Sequence, residues 1–209
     1  MQEQNDLQKE IELQENDTNE QNILHEEKGA SAMSVLWEIV RFAILALIIV
    51  VPIRMYIASP FIVSGGSMDP TFGNGHYLIV DQISYRFDEP ERGDVVIFKY
   101  PNDTSKFFIK RVIGLPGETV ELRNGVTIIK NEMLPGGFTL DESYVKFKKN
   151  DTMTITLAED EYFMMGDNRK ASSDSRVWGP LKEGFIKGET LVRLLPITKI
   201  DLHPGEYKY

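Results

Sequence analysis

The sequence predicts a mainly β protein: an antiparallel β-barrel or sheet domain with a small β insert, preceded by one transmembrane helix. Three observations carry this expectation. Many short segments after residue 60 are rich in β-branched and aromatic residues and are punctuated by Gly, Pro, Asn or Asp. No segment in that region sustains helical periodicity. One long apolar run stands ahead of it, without a basic region before it.

The chain begins with "MQEQNDLQKEIELQENDTNEQNILHEEKGA", which carries nine Asp/Glu against Lys9 and Lys28. So little apolar surface cannot offset the entropy of ordering, and residues 1–32 are expected to be a disordered, cytoplasmic acidic tail. This tail holds seven of the nine net negative charges, so the remaining chain is close to neutral, at −2. That body offers no basic footprint for nucleic acid. Cysteine is absent, which excludes disulfides, thiol catalysis and thiolate metal sites. "HEEKG" has a single His and lacks the second ligand of a zinc-protease helix. No metal and no cofactor are expected.

Phe42 to Ile53 is an uncharged run of twelve residues. Extended from Val35 to Ile57 it gives 23 residues, about 35 Å of helix at 1.5 Å per residue. Glu38 and Arg41 are spaced to pair near one interface, and Arg54 to snorkel at the other. Trp37 and Tyr56 stand near the two ends, as interfacial aromatics do. A signal peptide cleaved after Ala58-Ser59 would meet Pro60 directly beyond the cut, so residues 33–57 are read as an uncleaved anchor. Charge counting does not orient it, because Lys28 and Arg41 compete with Arg54.

Residues 58–209 form the expected extracytoplasmic β domain. "HYLIVDQIS", "GDVVIFKY", "FFIKRVIG", "ETVEL", "VTIIKN", "MTITL" and "EYFMMG" read as its strands. The less hydrophobic stretch of about 115–160, with its "RNG" and "PGG" turns, is expected to be the small insert.

The chemistry starts from "SGGSMDPTFGNG", which places Ser67 just beyond the anchor. Past the anchor the histidines are His76 and His203, one at a strand edge and one in a polar tail, and no G-x-S-x-G elbow is present. A serine nucleophile here needs a different base. A lysine can serve if burial removes its charge, lowering a pKa that is ordinarily near 10.4. In "KFFIKRVIGLPG", Lys110 is flanked by Phe107, Phe108, Ile109, Val112 and Ile113. Strand alternation puts Phe108, Lys110 and Val112 on one face and Arg111 on the other. A third stretch, "MGDNRKASSDSRVWGP", concentrates Asp167, Asn168, Arg169, Ser172, Ser173, Asp174, Ser175 and Arg176 after a hydrophobic strand. It reads either as a solvated turn or as a polar network able to orient a lysine.

Together, "GGSMDPT" at 65–71, "RGDVVIFKYP" with "FIKRVIGLPG" at 92–117, and "GDNRKASSDSRVWG" at 166–179 resemble bacterial type I signal peptidases of the single-anchor, Gram-positive kind. The resemblance covers the anchor and nearly everything after it. It implies a Ser-Lys dyad serine endopeptidase with Ser67 as nucleophile, Lys110 as general base and Ser172 positioning the lysine. It also implies a salt-bridge pair of Asp174 and Arg176, an adjoining structural box of Asp167 and Arg169, and shallow pockets lined by Phe61, Val63, Met68 and Ile109. Some members carry, two residues before the nucleophile, a serine that helps form the oxyanion hole. Gly65 stands there in this chain, with Ser64 one place further back, so the donors expected are the Ser67 N–H and the Gly65 N–H.

The implied substrates are exported preproteins cut after Ala-x-Ala type sequences. The implied location is the cell membrane, single-pass, with the lipid bilayer as a partner, the catalytic domain on the outer face, and no nucleic acid. A self-cleaving Ser-Lys repressor shares the chemistry but would carry a DNA-binding domain in place of an anchor. The sequence also leaves room for a catalytically inactive anchored binding domain and for a Ser67–His76 hydrolase.

Overall fold

The computed structural model describes residues 32–209; the tail expected over 1–32 lies, Ala32 aside, outside the described residues. The chain divides into two compact units, Met1–Val51 and Pro52–Tyr209. In the first, the described residues form one helix, α1 (Ala32–Pro52). Its side chains from Met33 onward are all exposed, including Leu36, Trp37, Phe42, Leu47 and Ile48. Among the described residues it is the one helix long and apolar enough to cross a membrane, over Met33–Pro52.

In the second unit a single π-helical turn, Ile53–Ile57, leads into strand β1 (Ala58–Ile62). The strands that follow are β2 (Tyr77–Asp81), β3 (Val95–Tyr100), β4 (Asp103–Gly114), β5 (Thr119–Arg123), β6 (Val126–Lys130) and β7 (Phe138–Thr139). Next come β8 (Met153–Thr156), β9 (Glu161–Met165), a one-turn helix α2 (Ser175–Trp178), β10 (Leu181–Lys182), β11 (Ile186–Leu195) and β12 (Asp201–Leu202).

All strand pairings are antiparallel, in two sheets. The larger runs β1-β2-β11-β3-β4-β9-β10 with β12 on β11; the smaller runs β7-β6-β5-β8. The mainly β expectation therefore holds in its sheet form. β1 and β10, at the two ends of the larger path, do not pair, so it is not closed into a barrel. The smaller sheet is built entirely from residues 119–156. Its β5–β6 hairpin closes through Asn124-Gly125, both at positive φ (52° and 77°), the backbone that a two-residue turn between twisted strands demands.

β3 explains why "VVIF" is apolar throughout rather than alternating. Val95 and Ile97 enter one core with Met68, Phe72, Leu78 and Ile109, while Val96 and Phe98 enter another with Val112, Met164 and Leu181. A central strand buried on both faces has no solvent side to mark. β4 is similarly central from Ile109 to Gly114, where every residue is buried. Its first half pairs only with β3, and β9 joins its other edge from Arg111 onward.

Candidate active site

Ser67 lies in the loop between β1 and β2, and that loop is pinned from below. Met68 and Phe72 are 1% and 0% exposed and sit in the core, joined by an isolated antiparallel bridge. The Phe72 N–H donates to the Met68 carbonyl at 3.0 Å and the Gly65 N–H to Asn74 Oδ1 at 2.9 Å. Burying two large side chains within five residues fixes the backbone between them, each contributing roughly 1.5–3 kcal/mol.

Lys110 approaches from β4. Its Nζ donates to Ser67 Oγ at 2.7 Å and to the Ile109 carbonyl at 2.8 Å, and it stands 5.3 Å from the centroid of the Phe108 ring. The residue is 3% exposed. Burial pushes its amine down to about 8, against the opposing pull of the Asp174 and Asp167 carboxylates. An amine at this value is neutral often enough near neutral pH to accept a proton from the hydroxyl beside it.

The strand neighbour on the opposite face, Arg111, is 1% exposed and forms the deepest ion pair in the unit. Its Nε and Nη2 meet Asp167 Oδ1 and Oδ2 at 2.9 and 2.7 Å. Nη1 donates to the carbonyls of Gly93 and Gly205, both at 2.6 Å, and the guanidinium lies 4.2 Å from the centre of the Tyr144 ring. Thr71 Oγ1 completes the set by donating to Asp167 Oδ2 at 2.5 Å. The Ser67 loop, through Thr71, and the Lys110 strand, through Arg111, are thus tied to one carboxylate.

Asp167 and Arg169, grouped by sequence, therefore have separate partners. Arg169 pairs with Glu142, at 2.5 and 3.2 Å, and its Nε donates to the Gly166 carbonyl at 3.1 Å. Asp174 and Arg176 do pair, at 2.7 Å through both Nε and Nη2, and Arg176 Nη1 reaches Asp151 at 2.5 Å. Asp174 also caps α2 and accepts from the Gly166 N–H at 3.1 Å. Burial pushes its carboxyl up, but Arg176, Ser172 and the Gly166 N–H together outweigh this and hold it below the usual range.

Ser172 is brought beside this network, and no hydrogen bond joins its hydroxyl to the Lys110 amine. Its Oγ is buried and lacks a hydrogen bond of ordinary geometry, though it lies near enough to Asp174 to help lower that carboxyl. The two hydrogen bonds of Lys110 Nζ go elsewhere. Gly166 lets these pieces meet: a Cβ there would stand 2.3 Å from Ser172 Oγ and 2.4 Å from the Ser67 carbonyl oxygen.

A cleft of about 470 Å³ opens on Ser67 and Lys110. Phe61, Val63 and Ile109 line it, as do Ile62, Ser64, Phe107 and Ser173; Met68 lies instead beneath it, in the core. Its walls include two backbone edges free of strand partners among the described residues, the outer edge of β1 and that of β4 over 106–109. The Gly65 N–H is occupied by Asn74, so of the two expected oxyanion donors only the Ser67 N–H is unengaged among the described residues. His76 is buried at 7% exposure and accepts from the Gly73 N–H at 3.3 Å. Burial, then Arg193 and Lys199, hold its pKa below the ordinary value. The Ser67 hydroxyl is bonded to Lys110 and not to it.

Sequence reasoning missed the parts played by Arg111, Glu142 and Asn74. A charged residue inside an apolar strand, facing away from Lys110, was a usable signal for the first, since a buried guanidinium requires a partner. Glu142 and Asn74 lie in irregular segments where no periodicity marks what is buried.

The family model described as "Signal peptidase, peptidase S26" matches residues 36–195. "Probable signal peptidase I-1" of Synechocystis sp. is 35% identical over 162 residues, covering 74% of this chain and 80% of that protein. "Signal peptidase I V" of Bacillus subtilis is 34% identical over 154 residues, 69% of this chain and 90% of its own length. A solved signal peptidase I from Enterococcus faecalis is similar at 32% identity and a TM-score of 0.42, covering 49% of this chain and 97% of that one. The chain belongs to the signal peptidase family, peptidase S26.

Proposed function

We propose that this protein is a membrane-anchored serine endopeptidase that removes signal peptides from exported preproteins, with Ser67 as nucleophile and Lys110 as its base. The observation that carries the reading is a desolvated amine 2.7 Å from a serine hydroxyl at the floor of an open cleft. Neutral Lys110 takes the Ser67 proton as Oγ attacks the scissile carbonyl. The resulting ammonium returns the proton to the leaving amine, and the lysine then activates water against the acyl-enzyme. The Ser67 N–H stabilises the oxyanion. Asp174, held by Arg176 and approached by Ser172, supplies a counter-charge to the protonated Lys110, and Asp167 locks the Lys110 strand to the Ser67 loop.

The free edges of β1 and β4 suit an extended peptide that adds its own backbone hydrogen bonds to both. Phe61, Val63 and Ile109 leave shallow room beneath it, which supports cleavage after Ala-x-Ala type sequences. α1 serves as a single-pass anchor in the cell membrane, with the N-terminus cytoplasmic and the peptidase unit on the outer face, where the ends of signal peptides emerge.

The bilayer as partner draws support from the outward face of β1, β2, β11 and β12. Ile62, Ile79, Val192, Leu195 and Leu202 share the side opposite the core residues Leu78 and Val80 by cross-strand register. Ile62 and Leu202 are 68% and 71% exposed. The near-neutral body supports the expectation of no nucleic-acid partner.

The test is cleavage of one labelled preprotein by the full-length protein in lipid vesicles, with the cut mapped. A single cut after an Ala-x-Ala type sequence, lost in Ser67→Ala and in Lys110→Ala, is expected. No cleavage, or cleavage that persists in Ser67→Ala, overturns the reading.

A further inference from the structure

We propose that Asn168 is a positioning residue of the reaction, clamping the two peptide groups that flank Ser67 so that the Ser67 N–H faces the cleft. The inference rests on the reading of Ser67 as nucleophile and concerns how its oxyanion donor is aimed.

Two hydrogen bonds build the clamp. Asn168 Nδ2 donates to the Gly66 carbonyl at 3.0 Å, and the Asn168 N–H donates to the Ser67 carbonyl at 3.0 Å. One residue therefore holds the carbonyl before the nucleophile and the carbonyl after it. The Gly66–Ser67 peptide group is planar and trans, so its N–H points opposite to its C=O. With the Gly66 oxygen drawn toward Asn168, the Ser67 N–H is turned the other way. That N–H makes no hydrogen bond among the described residues, and Ser67 lines the cleft.

The orientation of the Asn168 amide is itself determined. Its Oδ1 accepts from the Ala171 N–H at 3.2 Å, so the nitrogen is the atom left facing Gly66. The residue is further fixed by a parallel bridge to Phe147 and by its neighbours Asp167 and Arg169, both committed to buried ion pairs. Without Asn168 the Gly66 carbonyl would keep only its longer hydrogen bond from the Asp69 N–H, at 3.3 Å, and the Ser67 N–H would be aimed less tightly within the Gly-Gly-Ser turn. The clamp matters more here because the Gly65 N–H is already given to Asn74.

Asn168→Asp is the sharpest variant. It keeps the shape and the acceptor for Ala171 but sets an oxygen against the Gly66 carbonyl. With a preprotein substrate, kcat is expected to fall at least about tenfold, with KM within about twofold of wild type. The alkaline midpoint of the pH–rate profile should not move in Asn168→Ala, which adds no charge, whereas the new carboxylate of Asn168→Asp should push it up, as Asp174 and Asp167 already do. A peptide aldehyde, which forms a tetrahedral adduct with Ser67, should lose affinity by the same factor as kcat, while a cleaved product peptide binds as before. Asn168→Ala, which adds no repulsion and keeps the backbone hydrogen bond, should show the same pattern more weakly, and it decides the matter if the Asp variant fails to fold. Wild-type kcat in a folded variant, a loss confined to KM or product binding, a shifted midpoint in Asn168→Ala, or inactivity explained by unfolding of both variants each overturns the proposal. A wild-type protein that cleaves no preprotein overturns the functional reading instead.

Discussion

Lys110 Nζ and Ser67 Oγ stand 2.7 Å apart although 43 residues separate them in the chain. The contact joins a strand buried on both faces to a loop nailed down by Met68 and Phe72. Neither side chain is held by its local sequence alone. The amine reaches about 8 because the fold removes its water, and that costs stability the rest of the core supplies.

Lys110→Met should abolish cleavage and stabilise the fold. A folded pKa of about 8 against an ordinary 10.5 corresponds to about 3 kcal/mol of suppressed ionisation at pH 7. The sign follows from proton counting: between pH 8 and 10.5 the unfolded chain binds more protons, so wild-type stability rises with pH across that window. Urea unfolding at pH 7 and at pH 10 checks both parts. The methionine variant should be the more stable at pH 7, with much of the advantage gone at pH 10.

Asp167 couples both halves of the dyad to one buried pair. Asp167→Asn leaves the Arg111 guanidinium, 1% exposed, short of its counter-charge. A loss of about 3–5 kcal/mol is expected in denaturant unfolding. Arg111→Met combined with Asp167→Leu, which removes both charges, should cost less than the single change.

Glu189 gives a pH effect of opposite sign from that of Lys110. Burial, then Asp94, Glu206, Asp81 and Glu91, push its carboxyl up to about 7. The folded state then holds a proton that the unfolded chain gives up above 4.5, so this contribution is intact below 4.5 and is lost as pH rises through 7. Glu189→Gln should raise the melting temperature at pH 8 more than at pH 5, and an equal effect at both would count against the burial seen here.

Gly166→Ala tests the close approach behind the nucleophile. The added carbon would meet backbone at the Ser67 carbonyl, 2.4 Å away, which cannot yield as a flexible side chain would. A fall in kcat of at least about tenfold is expected in preprotein processing assays, with the melting temperature lowered as well.

The sequence made the strands legible because alternation and turn residues mark them one by one, and "RNG" did become the β5–β6 turn. Sheet closure was not legible, since it depends on whether β1 meets β10, two strands over 100 residues apart. In the site, Lys110 was conspicuous as a lone amine among Phe108, Ile109 and Val112. The pairing of Asp167 with Arg111 was hidden, because the nearer Arg169 looks an equal partner until the fold sends it to Glu142. The hydrogen bond of the Gly65 N–H was hidden for a related reason: its acceptor, Asn74, is nine residues away in a loop without a pattern.

Titration of the Lys110 amine by NMR, with nitrogen-labelled lysine and Lys110→Met to assign the resonance, tests the dyad most directly. A midpoint near 8, rising when Ser67→Ala protein is unfolded, is the predicted result. A midpoint near 10.5 in the folded protein would mean an amine still charged at neutral pH, and the Ser67–Lys110 mechanism would be contradicted.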